Sequence, residues 1–252
     1  MDKKFAISRP LWYYGENLEK EASAVIRFVF LDLDDTLLDF HQAEAVALTR
    51  TFDRLSLPHT PEILARYSAI NLRHWELLEE GRLTREQVLV GRFRQLFGEL
   101  EVNADPRAAQ ACYEDYLSQG HWFIPGAPEL LETLAPRYQL YLASNGTTVV
   151  QQGRIQSAGI AHYFQGIFLS QQIGADKPSP AFFDACFAQI PGFDRAQAVL
   201  VGDSLTSDMR GGLAAGIRTC WFNPHHKPPR AGIPVDREID ALSQLPGVLA
   251  AL

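Results

Sequence analysis

The stretch FVFLDLDDTLLDF, residues 28–40, begins as an apolar run and then carries four aspartates. The run AVIRFVFL at 24–31 is rich in β-branched and aromatic residues, which predicts a strand buried on both faces. Carboxylates at the end of such a strand lose hydration and repel one another, so a cation or a proton must offset them. Two interpretations are open at this point. Asp35 and Thr36 could cap a following helix in a solvated loop, or the acids could form a metal-assisted site at the carboxyl end of a parallel strand.

The hydrophobic pattern divides the rest of the chain into a helical block and an alternating block. Helices are predicted in the first block near 41–56, 61–80, 84–98 and 105–119. In the second block, strands are predicted at 138–143, 166–170, 197–201 and 217–222, alternating with helices at 127–135, 148–158, 180–189 and 207–215. Such alternation predicts an α/β fold with right-handed βαβ units and a parallel sheet.

The helical block follows the first strand directly, where it could cover the carboxyl end of that strand as a lid. We therefore predict a core domain made of residues 25–40 and 122–252, with a helical cap domain of residues 41–121 inserted into it. Residues 1–24 form an N-terminal extension without a predicted role, and Ser8-Arg9-Pro10 interrupts its apolar part too early for a secretory signal.

Composition narrows the class of protein. Hydrophobic residues make up 46% and charged residues 21% of the chain, as in ordinary globular proteins. The formal charge of −7, with Arg and Lys scattered, argues against a nucleic-acid partner. No apolar run reaches the length of about 18 residues that spans a bilayer. Three widely spaced cysteines fit a reducing compartment, so we expect a cytoplasmic protein. We also expect it to be a monomer or a homodimer and to have no membrane partner.

Polar motifs follow four of the predicted strands. Asp32 and Asp34 end the first strand, and Ser144, Asn145 and Gly146 end the second. A hydroxyl and exposed backbone N–H groups at a strand end suit a phosphate oxygen, although a helix N-cap would use the same residues. The third motif contains Lys177, a lysine before a proline. The fourth motif, VGDSLTSDM, contains Asp203 and Asp208.

Each motif also has a purely structural interpretation, and Lys177 by itself would be read as an exposed loop residue. The carboxyl ends of parallel strands meet at one edge of a sheet, however, which is where α/β folds bind ligands. Four motifs in this order therefore favour one shared site.

These motifs resemble those of a known superfamily. Asp32-Leu-Asp34-Asp-Thr36, Ser144, Lys177 and Gly202-Asp203-Ser-x3-Asp208 are similar to motifs I to IV of the haloacid dehalogenase (HAD) superfamily, and the resemblance runs from about Val25 to the C-terminus. It implies a Rossmann-like parallel-sheet HAD core, with the inserted block corresponding to the α-helical C1 cap of that superfamily.

The resemblance also implies roles for the motif residues. Asp32 would attack phosphorus to give an aspartyl-phosphate, and Asp34 would protonate the leaving oxygen and then deprotonate water. Mg²⁺ would be held by Asp32, the backbone carbonyl of Asp34 and Asp203, with Asp208 bracing these groups. Ser144 and Lys177, together with the turn at Asn145 and Gly146, would hold the phosphoryl group.

Longer stretches are similar to one subgroup, the pyrimidine 5'-nucleotidases with a C1 cap. They are residues 142–160 (LASNGTTVVQQGRIQSAGI), 168–187, 200–224 and, within the cap, 70–97. The similarity implies hydrolysis of pyrimidine (deoxy)nucleoside monophosphates as the small-molecule substrates. Asp35 departs from the glycine or glutamate of many relatives. The candidates for contact with sugar and base are Phe40, which directly precedes the predicted cap, and Asn71, His74 and Trp75 within it.

Other functions stay open to different degrees. A dehalogenase needs no acid at Asp34, because a halide leaves without a proton, and a receiver-domain switch would have no helical insertion after its first strand. A sugar-phosphate phosphatase or phosphomutase of the same superfamily would share all four motifs. A nucleotide-binding pseudoenzyme is the non-enzyme alternative. For His225-His226-Lys227 we predict a solvated loop, because no third metal ligand lies nearby.

Overall fold

A parallel sheet of six strands, in the order β3-β2-β1-β4-β5-β6, organises the chain in the computed structural model, which describes residues 25–252. The predicted N-terminal extension lies outside the described residues. The strands are β1 Phe28–Leu31, β2 Gln139–Ser144, β3 Gly166–Leu169, β4 Ala198–Gly202, β5 Arg218–Phe222 and β6 Arg237–Ile239. All five neighbouring pairs run parallel. The predicted α/β class is confirmed.

Ten α-helices accompany the strands within residues 25–252. The first four are α1 Phe40–Arg54, α2 Pro61–Glu79, α3 Arg85–Glu99 and α4 Pro106–Leu117. The others are α5 Ala127–Leu134, α6 Thr148–Ala158, α7 Ser170–Ile173, α8 Pro180–Phe187, α9 Arg210–Ala215 and α10 Leu245–Ala251. No helix in this part of the chain combines the length and the apolar character that crossing a membrane requires.

Burial of the central strand on both faces explains its uniformly apolar sequence. All four residues of β1 have no exposed surface. Val29 and Leu31 pack with side chains of α5, α6 and α10, whereas Phe28 and Phe30 pack with side chains of α8 on the other face. The alternation of side chains along a strand thus builds two cores, one on each side of the sheet.

Helices α1 to α4 form a separate apolar cluster around Phe52, Tyr67, Phe93 and Tyr113. Their starts follow from capping residues, since each N-cap side chain accepts a hydrogen bond from a backbone N–H in the first turn. These N-caps are Asp39, Thr60, Thr84 and Asp105. At Thr84 the first turn is a complete capping box with Gln87.

The two segments that connect α1–α4 to the sheet run side by side. Leu38 forms an isolated bridge with Phe123, and the Asp39 N–H donates to the carbonyl of Trp122 at 2.8 Å. The chain therefore leaves the sheet after β1 and returns at nearly the same place. The division into a core and a cap domain, with the boundaries given above, stays a prediction.

Several element boundaries differ from those predicted. Residues 25–27 precede β1 without strand structure, and Val25 is 82% exposed. The predicted helix 207–215 is divided into a π-helical turn, Leu205–Met209, and α9. Strand β6 was not predicted, because a three-residue edge strand with two charged residues carries almost no periodic signal.

Candidate active site

The predicted motif residues meet at the carboxyl edge of the sheet. Asp32 follows β1, Ser144 ends β2 and Asp203 follows β4. Strands β2 and β4 flank β1 in register, and the Asp32 N–H donates to the Val201 carbonyl at 2.9 Å. Adjacent parallel strands thus bring together residues far apart in sequence.

Lys177 lies at the centre of this edge, with its side chain only 1% exposed. Its Nζ donates to Asp32 Oδ1 at 2.6 Å, to Asp208 Oδ1 at 2.6 Å and to the Ala143 carbonyl at 2.7 Å. All three donors of the ammonium group are therefore used. The exposed-loop interpretation of this lysine is wrong, because the side chain is buried between two carboxylates.

Asn145 fixes the backbone of that lysine. Its Nδ2 donates to the Lys177 carbonyl at 2.8 Å, and its Oδ1 accepts from the Lys177 N–H at 2.8 Å. The Asn145 side chain is thereby engaged with protein. The predicted phosphate binding by Asn145 could therefore use only its backbone N–H.

Burial and mutual repulsion dominate the electrostatics of the acids. Burial raises the pKa of Asp32 to about 8, with the charges of Asp208 and Asp34 adding to the effect and Lys177 opposing it. Burial also raises the pKa of Asp203 well above its ordinary value, and the neighbouring Asp208 and Asp32 contribute. For Lys177, the two adjacent carboxylates outweigh burial and raise the pKa. One ammonium group does not balance all the carboxylates here.

A divalent cation fits this acidic cluster. One carboxylate oxygen from each of Asp32, Asp203 and Asp208 lies within 4.8 Å of the other two. Hard oxygen donors of this kind suit Mg²⁺. Asp208 is additionally braced, since its Oδ1 accepts from Lys177 and its Oδ2 accepts from the Ser204 N–H at 3.2 Å. A Cβ at Gly202 would lie 2.3 Å from that Oδ2, so a side chain there would displace the carboxylate.

Asp34 is held by two side chains of α6. Arg154 donates from Nη1 to Asp34 Oδ1, and Gln151 donates from Nε2 to Asp34 Oδ2 at 2.6 Å. The same Gln151 amide donates to Ser144 Oγ at 2.8 Å, and that hydroxyl accepts from the Gly146 N–H at 3.1 Å. The carboxyl group is thus connected to the turn at Ser144 to Gly146 by one amide.

Sequence reasoning missed Gln151 and Arg154. The signal that could have indicated them is their spacing of three residues, which places both on one face of α6, the helix that follows the turn at Asn145 and Gly146. By contrast, Asp35 does partly what the capping interpretation required. Its Oδ1 accepts from the Phe40 N–H at 2.9 Å and from the His41 N–H at 3.3 Å. Thr36 has a buried hydroxyl without a partner among the described residues.

A cavity of about 410 Å³ opens above the carboxylates, between the sheet edge and helices α1–α4. Its floor includes Asp32, Asp34, Lys177 and Asp203. Its far wall is formed by residues of α1–α4, namely Phe40, Leu72, Trp75, Glu76, Glu79, Leu89, Arg92, Glu114 and Leu117. The cavity therefore has a charged floor and a partly apolar wall.

The four candidates for substrate contact do not share this wall. Phe40 and Trp75 line the cavity, whereas Asn71 and His74 do not. Asn71 is buried and bonds Glu44 and Arg92, each at 2.7 Å. The Nδ1 of His74 lies 2.9 Å from the Ile70 carbonyl of its own helix. Asn71 thus lies behind Arg92, which does face the cavity.

Two side chains, Arg85 of α3 and Glu114 of α4, join these helices to the sheet edge by hydrogen bonds. Arg85 donates to the Asn145 carbonyl at 2.7 Å, to Ser170 Oγ at 2.6 Å and to the Asp176 carboxylate. Thr147 donates its hydroxyl proton to Glu114 Oε1 at 3.1 Å. Arg85 and Glu114 each bond a residue of the segment 145–147, so the helical wall is tied to the floor.

The loop after β5 agrees with its predicted solvation at His226, whose side chain is 76% exposed. Lys227 is also exposed, with 55% of its side chain accessible, and it lines the cavity with its Nζ 3.8 Å from Asp203 Oδ2. The Asn223 side chain bonds the backbone of Lys227. Its Oδ1 accepts from the Lys227 N–H at 2.8 Å, and its Nδ2 donates to the Lys227 carbonyl at 3.0 Å.

Comparison with known proteins agrees with this architecture. The sequence-family model of the haloacid dehalogenase-like hydrolases matches residues 29–222 of this chain. The chain belongs to this family. YfnB of Bacillus subtilis (strain 168), described as a HAD-hydrolase, is 38% identical over 223 residues, which are 88% of this chain and 95% of that protein. The crystal structure of YfnB bound to magnesium has a TM-score of 0.86 and covers 89% of this chain and 98% of its own.

Two other relatives carry a more specific name. The pyrimidine 5'-nucleotidase PynA of Streptococcus pneumoniae (strain ATCC BAA-255 / R6) is 37% identical over 201 residues, covering 79% of this chain and 85% of PynA. The pyrimidine 5'-nucleotidase YjjG of Escherichia coli (strain K12) is 30% identical over 222 residues, covering 88% of this chain and 97% of YjjG. The predicted family and the resemblance to this subgroup are confirmed, and the chain is a HAD hydrolase.

Proposed function

We propose that this hydrolase cleaves phosphomonoesters with the help of Mg²⁺, and that pyrimidine (deoxy)nucleoside monophosphates are its substrates. The observation that carries the proposal is the Lys177 ammonium, buried between Asp32 and Asp208 at the floor of the cavity. A buried cation placed beside a carboxylate nucleophile can offset the charge of an incoming phosphoryl group.

In the first step, an oxygen of Asp32 attacks phosphorus. The bond from phosphorus to the ester oxygen breaks, and Asp34 gives that oxygen its proton. In the second step, Asp34 takes a proton from water, whose oxygen attacks phosphorus. The bond from phosphorus to the Asp32 oxygen breaks, which restores the Asp32 carboxylate and releases inorganic phosphate. Two carboxylates two residues apart thus divide the work between covalent attack and proton transfer.

Neighbouring groups hold the phosphoryl oxygens during both steps. Asn145, Gly146 and Lys177 line the cavity, and Ser144 bonds the turn through its hydroxyl, which accepts from the Gly146 N–H. The Ser144 hydroxyl and the backbone N–H groups of the turn would bind phosphoryl oxygens, and Lys177 would supply positive charge. Mg²⁺, when bound by Asp32, the Asp34 carbonyl and Asp203, would neutralise part of the phosphoryl charge. The magnesium in the YfnB structure supports this choice of ion.

The nucleotide substrate class rests on the relatives and on the wall of the cavity. PynA and YjjG are both named pyrimidine 5'-nucleotidases. The apolar part of the wall includes the aromatic side chains Phe40 and Trp75, which offer faces on which a base can stack. A cavity of about 410 Å³ lies within the usual range for small-molecule sites.

The test is phosphate release from dTMP, dUMP, UMP, AMP, GMP, glucose 6-phosphate and β-glucose 1-phosphate, each with Mg²⁺ and with EDTA. Asp32→Asn, which keeps the side-chain shape but removes the nucleophile, serves as the blank. We expect release that depends on Mg²⁺ and is concentrated on the pyrimidine nucleotides. Preference for the sugar phosphates would overturn the substrate class, and activity of Asp32→Asn or activity in EDTA would overturn the mechanism.

A further inference from the structure

Arg154 is a guanidinium without exposed surface, and it is paired with the Asp34 carboxylate. Nη1 donates to Asp34 Oδ1 and, at 3.3 Å, to Gln151 Oε1, while Nε donates to the Gly120 carbonyl at 2.9 Å. Its Nη2 is buried without a hydrogen-bond partner among the described residues. Because desolvating a charge is costly, packing alone does not account for an arginine at this position.

Both oxygens of the Asp34 carboxylate are fixed from the same helix. Arg154 holds Oδ1, and Gln151, three residues earlier on α6, holds Oδ2 at 2.6 Å. A carboxylate bonded at one oxygen can still rotate about its side-chain torsions, whereas bonds to both oxygens restrict its orientation. The pair therefore sets the direction in which Asp34 faces the cavity.

Gly120, whose carbonyl accepts from Arg154 Nε, lies in the segment that leads from α4 back to the sheet. The outgoing segment is also near, since the ring of Phe40 lies 5.8 Å from Arg154 Cζ. Space at Gly120 is tight, because a Cβ there would lie 2.7 Å from Ala43 Cβ. Arg154 thus contacts the acid of the proposed reaction and both segments that connect α1–α4 to the sheet.

We propose that Arg154 is a positioning residue for the acid–base carboxylate of Asp34, anchored by the carbonyl of Gly120. It exchanges no proton, because a guanidinium stays charged in proteins. Its role is to orient Asp34 towards the ester oxygen that leaves. This inference rests on the proposed phosphomonoesterase function and deepens it.

Two esters that differ in their need for a proton test the proposal. A nucleoside monophosphate such as dTMP releases an alkoxide oxygen that must be protonated, whereas p-nitrophenyl phosphate releases a phenolate that is stable without a proton. Asp34 also acts as the base in the second step, which is common to both esters, so the first step is measured alone, as release of nucleoside or p-nitrophenolate in a single turnover with enzyme in excess. Loss of a well-placed general acid should lower the rate constant of that step by about 10²-fold or more for the nucleotide and leave it within about 10-fold for p-nitrophenyl phosphate. We expect this selective loss in Arg154→Met.

Arg154→Lys keeps the charge but has one nitrogen instead of the planar fork, so it cannot reproduce the separate Nη1 contact with Asp34 and Nε contact with Gly120. We expect an intermediate, equally selective loss. If Arg154→Met does not fold, as judged by circular dichroism and thermal unfolding, Arg154→Lys and Gln151→Met carry the same comparison. The matched control is Arg195→Met, which removes an arginine bonded to a carboxylate, Asp184, and to a carbonyl, Ala215, each at 2.7 Å, away from the cavity.

The double variant Asp34→Asn/Arg154→Met separates positioning from general destabilisation. If Arg154 acts through Asp34, this variant should be no less active on the nucleotide than Asp34→Asn alone. Equal loss of the first step on both esters, or additive losses in the double variant, would overturn the inference while leaving the proposed function intact. A wild-type protein inactive on both esters would overturn the proposed function and the inference together.

Discussion

Replacing Lys177 with methionine should destabilise the folded protein and abolish its activity. The side chain is 1% exposed, and its Nζ lies 2.6 Å from both Asp32 Oδ1 and Asp208 Oδ1. Methionine fills similar volume but leaves two buried carboxylates without their cation. Removal of one partner from a buried ion pair typically costs about 3–5 kcal/mol, which for a chain of this size corresponds to a fall in Tm of about 6–20 °C.

The assay is thermal unfolding followed by circular dichroism in EDTA, at two pH values on either side of the Asp32 pKa. That pKa is already raised to about 8 despite the opposing charge of Lys177. Without the lysine, the folded carboxyls hold protons more tightly than the unfolded ones, so the variant should lose stability as pH rises. The deficit relative to wild type should therefore be smaller on the acidic side.

Lys227→Met is the matched control, because it also removes a lysine near a carboxylate of the cluster. Its side chain is 55% exposed and lies 3.8 Å from Asp203, so the expected cost is about 0–1 kcal/mol. Equal losses in the two variants, or a Lys177→Met deficit that does not depend on pH, would refute the reasoning from buried charge.

Three other predictions follow from the site and the helical wall. Burial raises the pKa of Glu79, in the cavity wall, to about 7. Because the carboxylate that forms above this pH repels a phosphate dianion, KM should increase above pH 7 in wild type and much less in Glu79→Gln. Steady-state kinetics on both sides of pH 7 will measure this difference. Burial raises the pKa of Glu44 above its ordinary 4.5, so this group makes wild-type stability fall as pH rises from that value, and urea unfolding of Glu44→Gln should show a smaller decrease with pH than wild type. In Gly202→Ala the new Cβ would lie 2.3 Å from Asp208 Oδ2, and calorimetry should show Mg²⁺ affinity lowered by about 10–100-fold. Gly98→Ala, which meets nothing within 4 Å, should leave that affinity unchanged.

The sequence could predict the floor of the site because strand ends are local features. A buried apolar run followed at once by acids, as at Asp32, combines a strong strand signal with an obvious anomaly. The parallel sheet then implies that such ends are neighbours. The same logic placed Ser144, Lys177 and Asp203 together, without knowledge of any distance.

The partners of Asp34 could not be predicted in this way. Gln151 and Arg154 are separated from it by 117 and 120 residues, and their effect depends on the rotation of α6 against the sheet edge. Periodicity was also insufficient within the helical block, where one helix face meets the cavity and an adjacent face meets another helix. Asn71 and Trp75 are one turn apart, yet only the tryptophan faces the cavity.

The adjacent connections between α1–α4 and the sheet have a consequence for how such a chain can diversify. Because Leu38 pairs with Phe123, a cut at each side of the helical segment would leave two ends close enough to be joined by a short turn. A different segment could be inserted there without altering the strand pairing of β1 with β2. New substrate preferences could thus arise by exchange of one continuous piece of the gene, while the carboxylates and the lysine keep their places.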